Sequence, residues 1–261
     1  GPWVGTFHAT GARILRRYAA EAGLRDDFTI YDDGDQRAVM GRVYKELDLD
    51  EDDRNTPNLR EALHTVERAK QEVKSPDDLS AVAKAPREHL LARVYARYEL
   101  HLRQNNAVDF SDLLSRTVTL LEGNSTVRDA LRAKWQHLLV DEFQDTNGAQ
   151  IRMLKALVGP RRNLCVVGDD DQAIYAWRGA DVGNILGFRA EFVGATVVKL
   201  EENYRCTGRI LAAANAVIGK AQRREAKTLH TRNPPGGLLE LLPCEDERAE
   251  AQASQPSWRP V

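Results

Sequence analysis

Three short apolar runs in the second half of the chain limit its possible folds more than any other feature: Leu138-Leu139-Val140, Leu164-Cys165-Val166-Val167 and Thr196-Val197-Val198. Strands buried on both faces of a parallel sheet read as unbroken apolar stretches rather than as alternation. Parallel strands also need crossover connections, usually helical. The sequence supplies helical stretches between the runs, first Ile151, Leu154, Leu157 and Val158, then Ile185 and Leu186. This is the pattern of an α/β domain. A further helix is expected to open near Thr207 and to carry Ile210, Leu211, Ala214 and Val217. After the turn cluster Asn233-Pro234-Pro235-Gly236-Gly237, Leu238–Leu242 reads as one more strand.

The first half has a different character. Trp3-Val4-Gly5-Thr6-Phe7 reads as the end of a strand, and helical periodicity follows at once through Ile14, Leu15, Tyr18, Ala19 and Ala22. From Asp26 to Asn106 the chain is charged and helical, with no convincing strand between Tyr31 and Ala107. Leu59, Leu63 and Val66 form one stripe, and Leu91, Val94, Tyr95, Tyr98 and Leu102 a stronger one. The acidic run Glu46, Asp48, Asp50, Glu51, Asp52 and Asp53 lacks the glycine pattern of calcium loops and reads as a solvated connection. The expected architecture is an α/β domain with an all-helical insertion.

Composition narrows the function. With 42% hydrophobic residues the 261-residue chain can bury a real core, and its length suits one large domain or two small ones. Thirty-seven Lys+Arg against 39 Asp+Glu leave a net charge of -2, which argues against coating nucleic acid by charge alone but permits a local groove. No uncharged apolar stretch approaches the ~18–20 residues of a membrane span. Residues Gly1–Thr6 have neither the basic nor the apolar region of a signal peptide. Cys165, Cys206 and Cys244 lie far apart, without CxxC, and form neither a disulfide framework nor a zinc site. Cytoplasmic residence is therefore expected, and Cys206 reads as a small helix-start residue rather than a redox centre.

Chemistry concentrates where the apolar runs end. Leu138-Leu139-Val140-Asp141-Glu142-Phe143-Gln144-Asp145 puts adjacent carboxylates at the carboxyl edge of a parallel sheet, where such folds bind ligands. One carboxylate can hold Mg²⁺ on a nucleotide, and the next can take a proton from an attacking water. A pair of merely solvated acids is the plainer alternative. The next run ends in Gly168-Asp169-Asp170-Asp171-Gln172-Ala173-Ile174-Tyr175-Ala176-Trp177-Arg178-Gly179-Ala180. The Gln172 amide can both donate to and accept from a phosphate. Tyr175, Trp177 and Arg178 suit stacking on unpaired bases, although two alternating aromatics can equally be core.

These two segments resemble motifs II and III of superfamily 1A DNA helicases of the UvrD/Rep/PcrA type. Gly5-Thr6-Phe7-His8-Ala9 resembles motif Ib, and Leu200-Glu201-Glu202-Asn203-Tyr204-Arg205 resembles motif IV. Asp109-Phe110-Ser111-Asp112-Leu113-Leu114 is similar to the family segment that returns from the inserted subdomain. The resemblance runs from about Gly5 to Gln252, and the Gly-Asp-Asp-Asp-Gln spelling sits closer to this branch than to the RecB/AddA helicase-nucleases. It implies a RecA-like P-loop NTPase sheet with an all-helical inserted subdomain. Residues 1–30 and 115–202 would form the first motor domain, 31–114 the insertion, 203–252 the start of a second motor domain, and 253–261 a non-matching tail.

The resemblance also implies roles. Asp141 would coordinate Mg²⁺ and Glu142 would activate the hydrolytic water. Gln172 would contact the ATP γ-phosphate, Arg205 would reach it from the second motor domain, and Tyr204 would stack on the adenine. Thr6, Phe7, His8, Tyr175, Trp177 and Arg178 would line the single-strand path. The implied activity is ATP-driven 3′–5′ movement on single-stranded DNA and unwinding at single-strand/duplex junctions, in repair or replication. The implied location is the cytoplasm, on the nucleoid when bound to DNA.

One expected part is missing from these residues. The phosphate cradle of such an NTPase is G-x-x-x-x-G-K-[ST], whose backbone N–H groups and lysine hold the phosphates. The Gly-Lys pair here, Gly219-Lys220, is followed by Ala221 and lacks the first glycine. In the family the cradle precedes motif Ib, so it is expected upstream of Gly1, with the later motifs beyond Val261. The chain then reads as the middle portion of a helicase, with little or no ATPase activity alone. The alternative is a non-catalytic module that binds single-stranded DNA or a partner.

Overall fold

A computed structural model describes residues 2–50, 53–221 and 224–253. It opens with helix α1 (Phe7–Arg17), which buries Ile14 and Leu15 and ends on Arg16 and Arg17, where cations suit the helix C-terminus. The strand expected at Trp3–Phe7 does not form. The Thr6 hydroxyl instead accepts the Ala9 N–H at 3.1 Å and caps α1, and Val4 stands exposed.

Strand β1 (Thr29–Tyr31) pairs in parallel with β2 (Ala107–Asp109), Ile30 opposite Val108. The excursion between them is helical: α2 (Asp33–Glu46), α3 (Leu59–Gln71), α4 (Pro76–Val82) and α5 (Pro86–Gln104). Local caps start these helices, with a reciprocal Asp32/Asp35 box on α2, Asn58 on α3 and a Ser75/Asp78 box on α4. At three residues each, β1 and β2 are too short to show a periodicity, and they flank the stretch that reads as strandless.

The chain continues through α6 (Asp112–Gly123), α7 (Ser125–Lys134), β3 (Leu138–Val140), α8 (Gly148–Val158), β4 (Leu164–Val166), α9 (Gly183–Leu186) and α10 (Phe188–Glu191). Two apolar clusters organise these elements. The first joins α1, α6, α7 and α8 through Ile14, Leu15, Leu113, Leu121, Leu131 and Met153. The second joins α2, α3 and α5 through Met40, Val43, Val66, Tyr98 and Leu102.

Strand β3 pairs in parallel with β4, Leu139 opposite Cys165. The expectation that these runs are buried on both faces is corrected: Leu139 is 79% exposed, and Cys165 and Val167 also face solvent. Leu138, Val140, Leu164 and Val166 are only half-buried. Of these strand residues Leu138 packs against the first cluster, while Leu139 and Cys165 face solvent.

Gly1–Glu191 and Phe192–Val261 are separate compact units. The second contains α11 (Gly208–Ile218), preceded by Thr207, and α12 (Glu247–Ala253). Thr196–Val198 and Leu238–Leu242 are not strands. They have no pairing partner among the described residues, where the unit's one bridge joins Glu202 to His230, and Val198, Leu238 and Leu241 are exposed. In the acidic run Glu46 pairs with Arg97 and His101, while Glu51 and Asp52 lie outside the described residues, as does the tail from Ser254.

Candidate functional site

The two acid-bearing loops leave the same sheet edge side by side. Pairing continues past the strands: Val167 N–H donates to Val140 C=O at 2.8 Å, and Phe143 N–H donates to Val167 C=O at 2.9 Å. Between those bonds the first loop turns sharply, because Glu142 adopts a left-handed conformation (φ 50°) that a residue with a Cβ rarely takes. Its N–H donates to Asp141 Oδ1 at 3.0 Å. The turn sends Phe143 into the interior, edge-on to Phe188 at 5.4 Å, and leaves the Asp141 and Glu142 side chains exposed. Backbone strain at such a position is characteristic of functional sites.

Gln144, only 1% exposed, ties the loops together. Its amide nitrogen donates to Glu142 Oε2 at 2.8 Å, and its amide oxygen accepts the Asp169 N–H at 3.0 Å. Asp169 in turn accepts the Asp171 N–H at 3.0 Å and the Gln172 amide at 2.8 Å. A continuous chain of hydrogen bonds therefore runs from Glu142 through Gln144 and Asp169 to Gln172. Gly168 makes room for it, since a Cβ there would lie 2.7 Å from Gln144 Oε1 and 3.1 Å from the Phe143 nitrogen. Farther on, the Thr146 carbonyl accepts the Asp181 N–H and the Asn184 amide, fastening the first loop to the far end of the second. Burial, with the Glu142 carboxylate beside it, raises the Asp145 pKa above the ordinary aspartate value.

The second loop displays its aromatics. Trp177 is 70% exposed and lies 6.3 Å from the partly exposed Tyr175, at 46°. These rings are not core residues in this unit. The side chain of Arg178 lies outside the described residues. At the start of α1, Thr6 is spent on its capping bond, Phe7 packs half-buried on the first cluster, and His8 stacks on Phe110 at 4.0 Å. Burial lowers the His8 pKa.

Tyr204 and Arg205 belong to the second unit, on a turn built by Asn203. Its side-chain oxygen accepts the Arg205 and Cys206 N–H groups at 3.0 and 2.7 Å. The exposed Tyr204 hydroxyl donates to Glu202 Oε2 at 3.0 Å, and that bond raises its pKa. Arg205 is likewise exposed.

The structure thus links Asp141, Glu142 and Gln172 within one hydrogen-bonded loop pair. The sequence reading assigned no role to Gln144, Asp169 or Phe110. The signal for Gln144 was a glutamine inside a turn that must fold back on its own strand, where an amide can both donate and accept. Asp141 and Glu142 offer hard oxygen donors that fit Mg²⁺, an ion that keeps several waters and phosphate oxygens among its ligands. An all-protein cage is absent, since no group of three or more His, Cys, Asp or Glu among the described residues could hold a metal ion. No helix among the described residues is long and apolar enough to cross a membrane.

Residues 1–193 match the family model of the UvrD/REP helicase N-terminal domain. The chain belongs to the UvrD/REP helicase family. Among its relatives, the ATP-dependent DNA helicase PcrA of Bacillus subtilis (strain 168) is 40% identical over 250 residues, which is 96% of this chain and 33% of that protein. PcrA of Staphylococcus epidermidis (strain ATCC 12228 / FDA PCI 1200) and of Staphylococcus aureus (strain COL) are also 40% identical over 250 residues, 34% of each protein. The chain spans about a third of the length of these curated relatives. The resemblance carried by the motifs is borne out at the level of the UvrD/PcrA-type superfamily 1 helicases. These UvrD/REP family residues retain the acid pair and the glutamine loop, and they contain no G-x-x-x-x-G-K-[ST].

Proposed function

We propose that this chain carries part of the nucleotide-handling and strand-handling machinery of an ATP-dependent DNA helicase. In this reading residues 1–30 and 115–202, which contain β3 and β4, are part of a RecA-like motor domain, residues 31–114 are its helical insertion, and residues 203–252 begin a second motor domain. The observation that carries the reading is the hydrogen-bonded chain from Glu142 through Gln144 and Asp169 to Gln172. In this reading it joins a group that would accept a proton from water to a group that would touch a terminal phosphate. Magnesium ion, bound through Asp141, would supply charge neutralisation on the phosphates. The Glu142 carboxylate would orient the attacking water and take its proton. Arg205, from the second unit, would stabilise charge on the transferring group, and Tyr204 would stack on the base.

The exposed Tyr175 and Trp177 would stack on unpaired bases, beside Arg178, Thr6, Phe7 and His8, along a single-strand path. Coupling of that loop to Gln172 would let hydrolysis alter the grip on DNA. The parent activity is then 3′–5′ translocation and duplex unwinding at single-strand/duplex junctions.

Positioning of the phosphates supplies most of the catalysis in phosphoryl transfer. These 261 residues contain no phosphate cradle, so the chain alone is expected to bind single-stranded DNA with little or no ATP turnover. The same observation favours a second reading, a non-catalytic module for single-stranded DNA or a partner. An ATPase assay with and without single-stranded DNA, run beside Glu142→Gln, tests the point. Turnover abolished by Glu142→Gln would overturn the expectation of inactivity. Tryptophan fluorescence titrated with oligonucleotide, without nucleotide, tests the strand path. An unquenched signal together with an unchanged affinity in Trp177→Ala would count against a DNA role.

A further inference from the structure

At the last turn of α3 the helical excursion between β1 and β2 meets later parts of the chain. Lys70 is buried there against Asp109 and Asp112, 2.6 and 2.9 Å from their carboxylates. The Gln71 carbonyl lies under Gly148 at the start of α8, where a Cβ would come within 3.2 Å of it. The next carbonyl, on Glu72, accepts the Arg152 guanidinium at 3.3 Å, and Arg152 also donates to Glu122 of α6 at 3.0 Å. These ties hold the end of α3 on α6 and α8, so the Gln71 side chain projects from a fixed base.

That side chain meets the displayed loop that follows β4. Its amide nitrogen donates to Glu67 Oε1 at 3.2 Å, one turn back in α3, and its oxygen abuts Gly179. A Cβ at Gly179 would fall 2.1 Å from that oxygen, so the amide fills the space a side chain would need. Gly179 also has φ 80°, in the left-handed region that favours glycine. Its N–H donates to the Ala176 carbonyl at 3.0 Å, and the Ala180 N–H donates to the Tyr175 carbonyl at 3.3 Å. Those bonds close the turn that displays Tyr175 and Trp177. The turn is thus seated on one side chain of α3, and the contact is one of shape, an amide tip against backbone without a Cβ.

We propose that Gln71 is a positioning residue: seated in the gap at Gly179, it holds the Tyr175–Trp177 turn in its displayed form. Through it the helical excursion sets how tightly that turn grips an unpaired strand. The proposal rests on the reading of the turn as part of a DNA path. Gln71 acts through Trp177 and is not itself a contact to the strand. A ring on an unseated turn has to be ordered on binding, and that ordering costs affinity.

Two readouts on the whole chain test the proposal. One is fluorescence anisotropy of a dye-labelled oligo-dT. The other is fluorine NMR of the chain carrying fluorotryptophan, with the Trp177 resonance assigned by its loss in Trp177→Phe; thermal melts verify folding. Trp177→Ala is expected to weaken binding roughly 5- to 150-fold, the range of one lost base–aromatic stack. Gln71→Ala should weaken it at least about twofold, the lower end of coupling between residues in contact, and should cost less in the Trp177→Ala background. It should also shift the Trp177 resonance, while those of Trp3 and Trp135, packed on each other at 4.9 Å, stay in place. Gln71→Met keeps length and volume and should lie closer to the parent than to Gln71→Ala in both readouts. Parental affinity and an unmoved Trp177 resonance in Gln71→Ala, beside a loss in Trp177→Ala, overturn this proposal and leave the loop reading standing. Unchanged affinity in Trp177→Ala, or no binding by the parent chain, overturns the loop reading and the proposal with it. An equal cost of Gln71→Ala with and without Trp177 shows that Gln71 acts elsewhere and overturns the proposal. Gln71→Met behaving like Gln71→Ala overturns it too, as does a shift of the Trp3 and Trp135 resonances alongside that of Trp177, the mark of a general structural role.

Discussion

The Gln144 side chain donates to Glu142 Oε2 at 2.8 Å from a position 1% exposed, so the most chemically suggestive carboxylate of the chain is held by a buried amide. The other end of that amide carries the Asp169 N–H. Gln144→Leu keeps the apolar volume but strands a donor and releases the carboxylate. Leaving a buried polar group unsatisfied costs about 1–3 kcal/mol. The expected outcome is a lower urea midpoint by that amount, with faster amide exchange confined to the segments around Glu142 and Asp169. Uniform exchange across the chain would contradict the coupling of these loops.

Gln144→Glu makes a different prediction. A buried carboxylate at this position would sit beside Glu142 Oε2, and burial with that like charge raises the pKa of the new acid above its unfolded value, against the single N–H that Asp169 donates. A carboxyl group whose folded value exceeds its unfolded value gives stability at low pH, which is lost as pH rises through the folded value. The variant should therefore approach the parent in urea unfolding near pH 5 and fall behind it near pH 8. An equal gap at both pH values would refute the placement of this side chain.

The glycine of the second loop is needed for space. Gly168→Ala puts a Cβ 2.7 Å from Gln144 Oε1 and 2.9 Å from Ile185 Cδ1. Overpacking of this kind costs about 1–3 kcal/mol. Gly41, inside α2, has nothing within 4 Å of its added Cβ. Gly41→Ala should stabilise by about 0.5–1 kcal/mol through helix propensity alone. Opposite signs in one denaturation series are the expected result, and matching signs would discredit the local geometry at Gly168.

How much of this was legible in the sequence depends on scale. The apolar runs at 138–140 and 164–166 announced a parallel pair by their unbroken apolar composition, and the helical stripe through Tyr98 and Leu102 announced a helical stretch because that pattern spans enough residues to repeat. Thr196–Val198 and Leu238–Leu242 have the same composition and form no strand, since a strand exists only through its partner and none pairs with them among the described residues. Trp3–Phe7 failed for a local reason, the Thr6 hydroxyl being claimed as a helix cap. At the site, the acids and the displayed aromatics were readable as residue types. Gln144 and Phe110 were not, because their positions follow from a left-handed turn at Glu142 and from a buried ion cluster that links residues far apart in sequence.

That cluster yields the last prediction. Lys70, 1% exposed, lies 2.6 Å from both Glu99 and Asp109 and 2.9 Å from Asp112, with Arg116 alongside. Its approach to Glu99 Oε1 is an ion contact without hydrogen-bond alignment. Burial alone would lower the Lys70 pKa, but Asp109, Asp112 and Glu99 hold it well above its ordinary value. Its contribution is complete below the unfolded lysine pKa and is lost only as pH rises through the higher folded value. Burial, together with Asp112, raises Glu99 and Asp109, while Lys70 and Arg116 keep Asp112 low despite burial. Lys70→Met fills the space but leaves three carboxylates facing one arginine. Breaking a buried pair from one side costs about 3–5 kcal/mol. Without Lys70, Glu99 and Asp109 are pushed further up, so folding of the variant takes up protons. Its deficit in urea unfolding should therefore be larger at pH 8 than at pH 5.5. A deficit that shrinks with rising pH would show that these acids are not held together by Lys70.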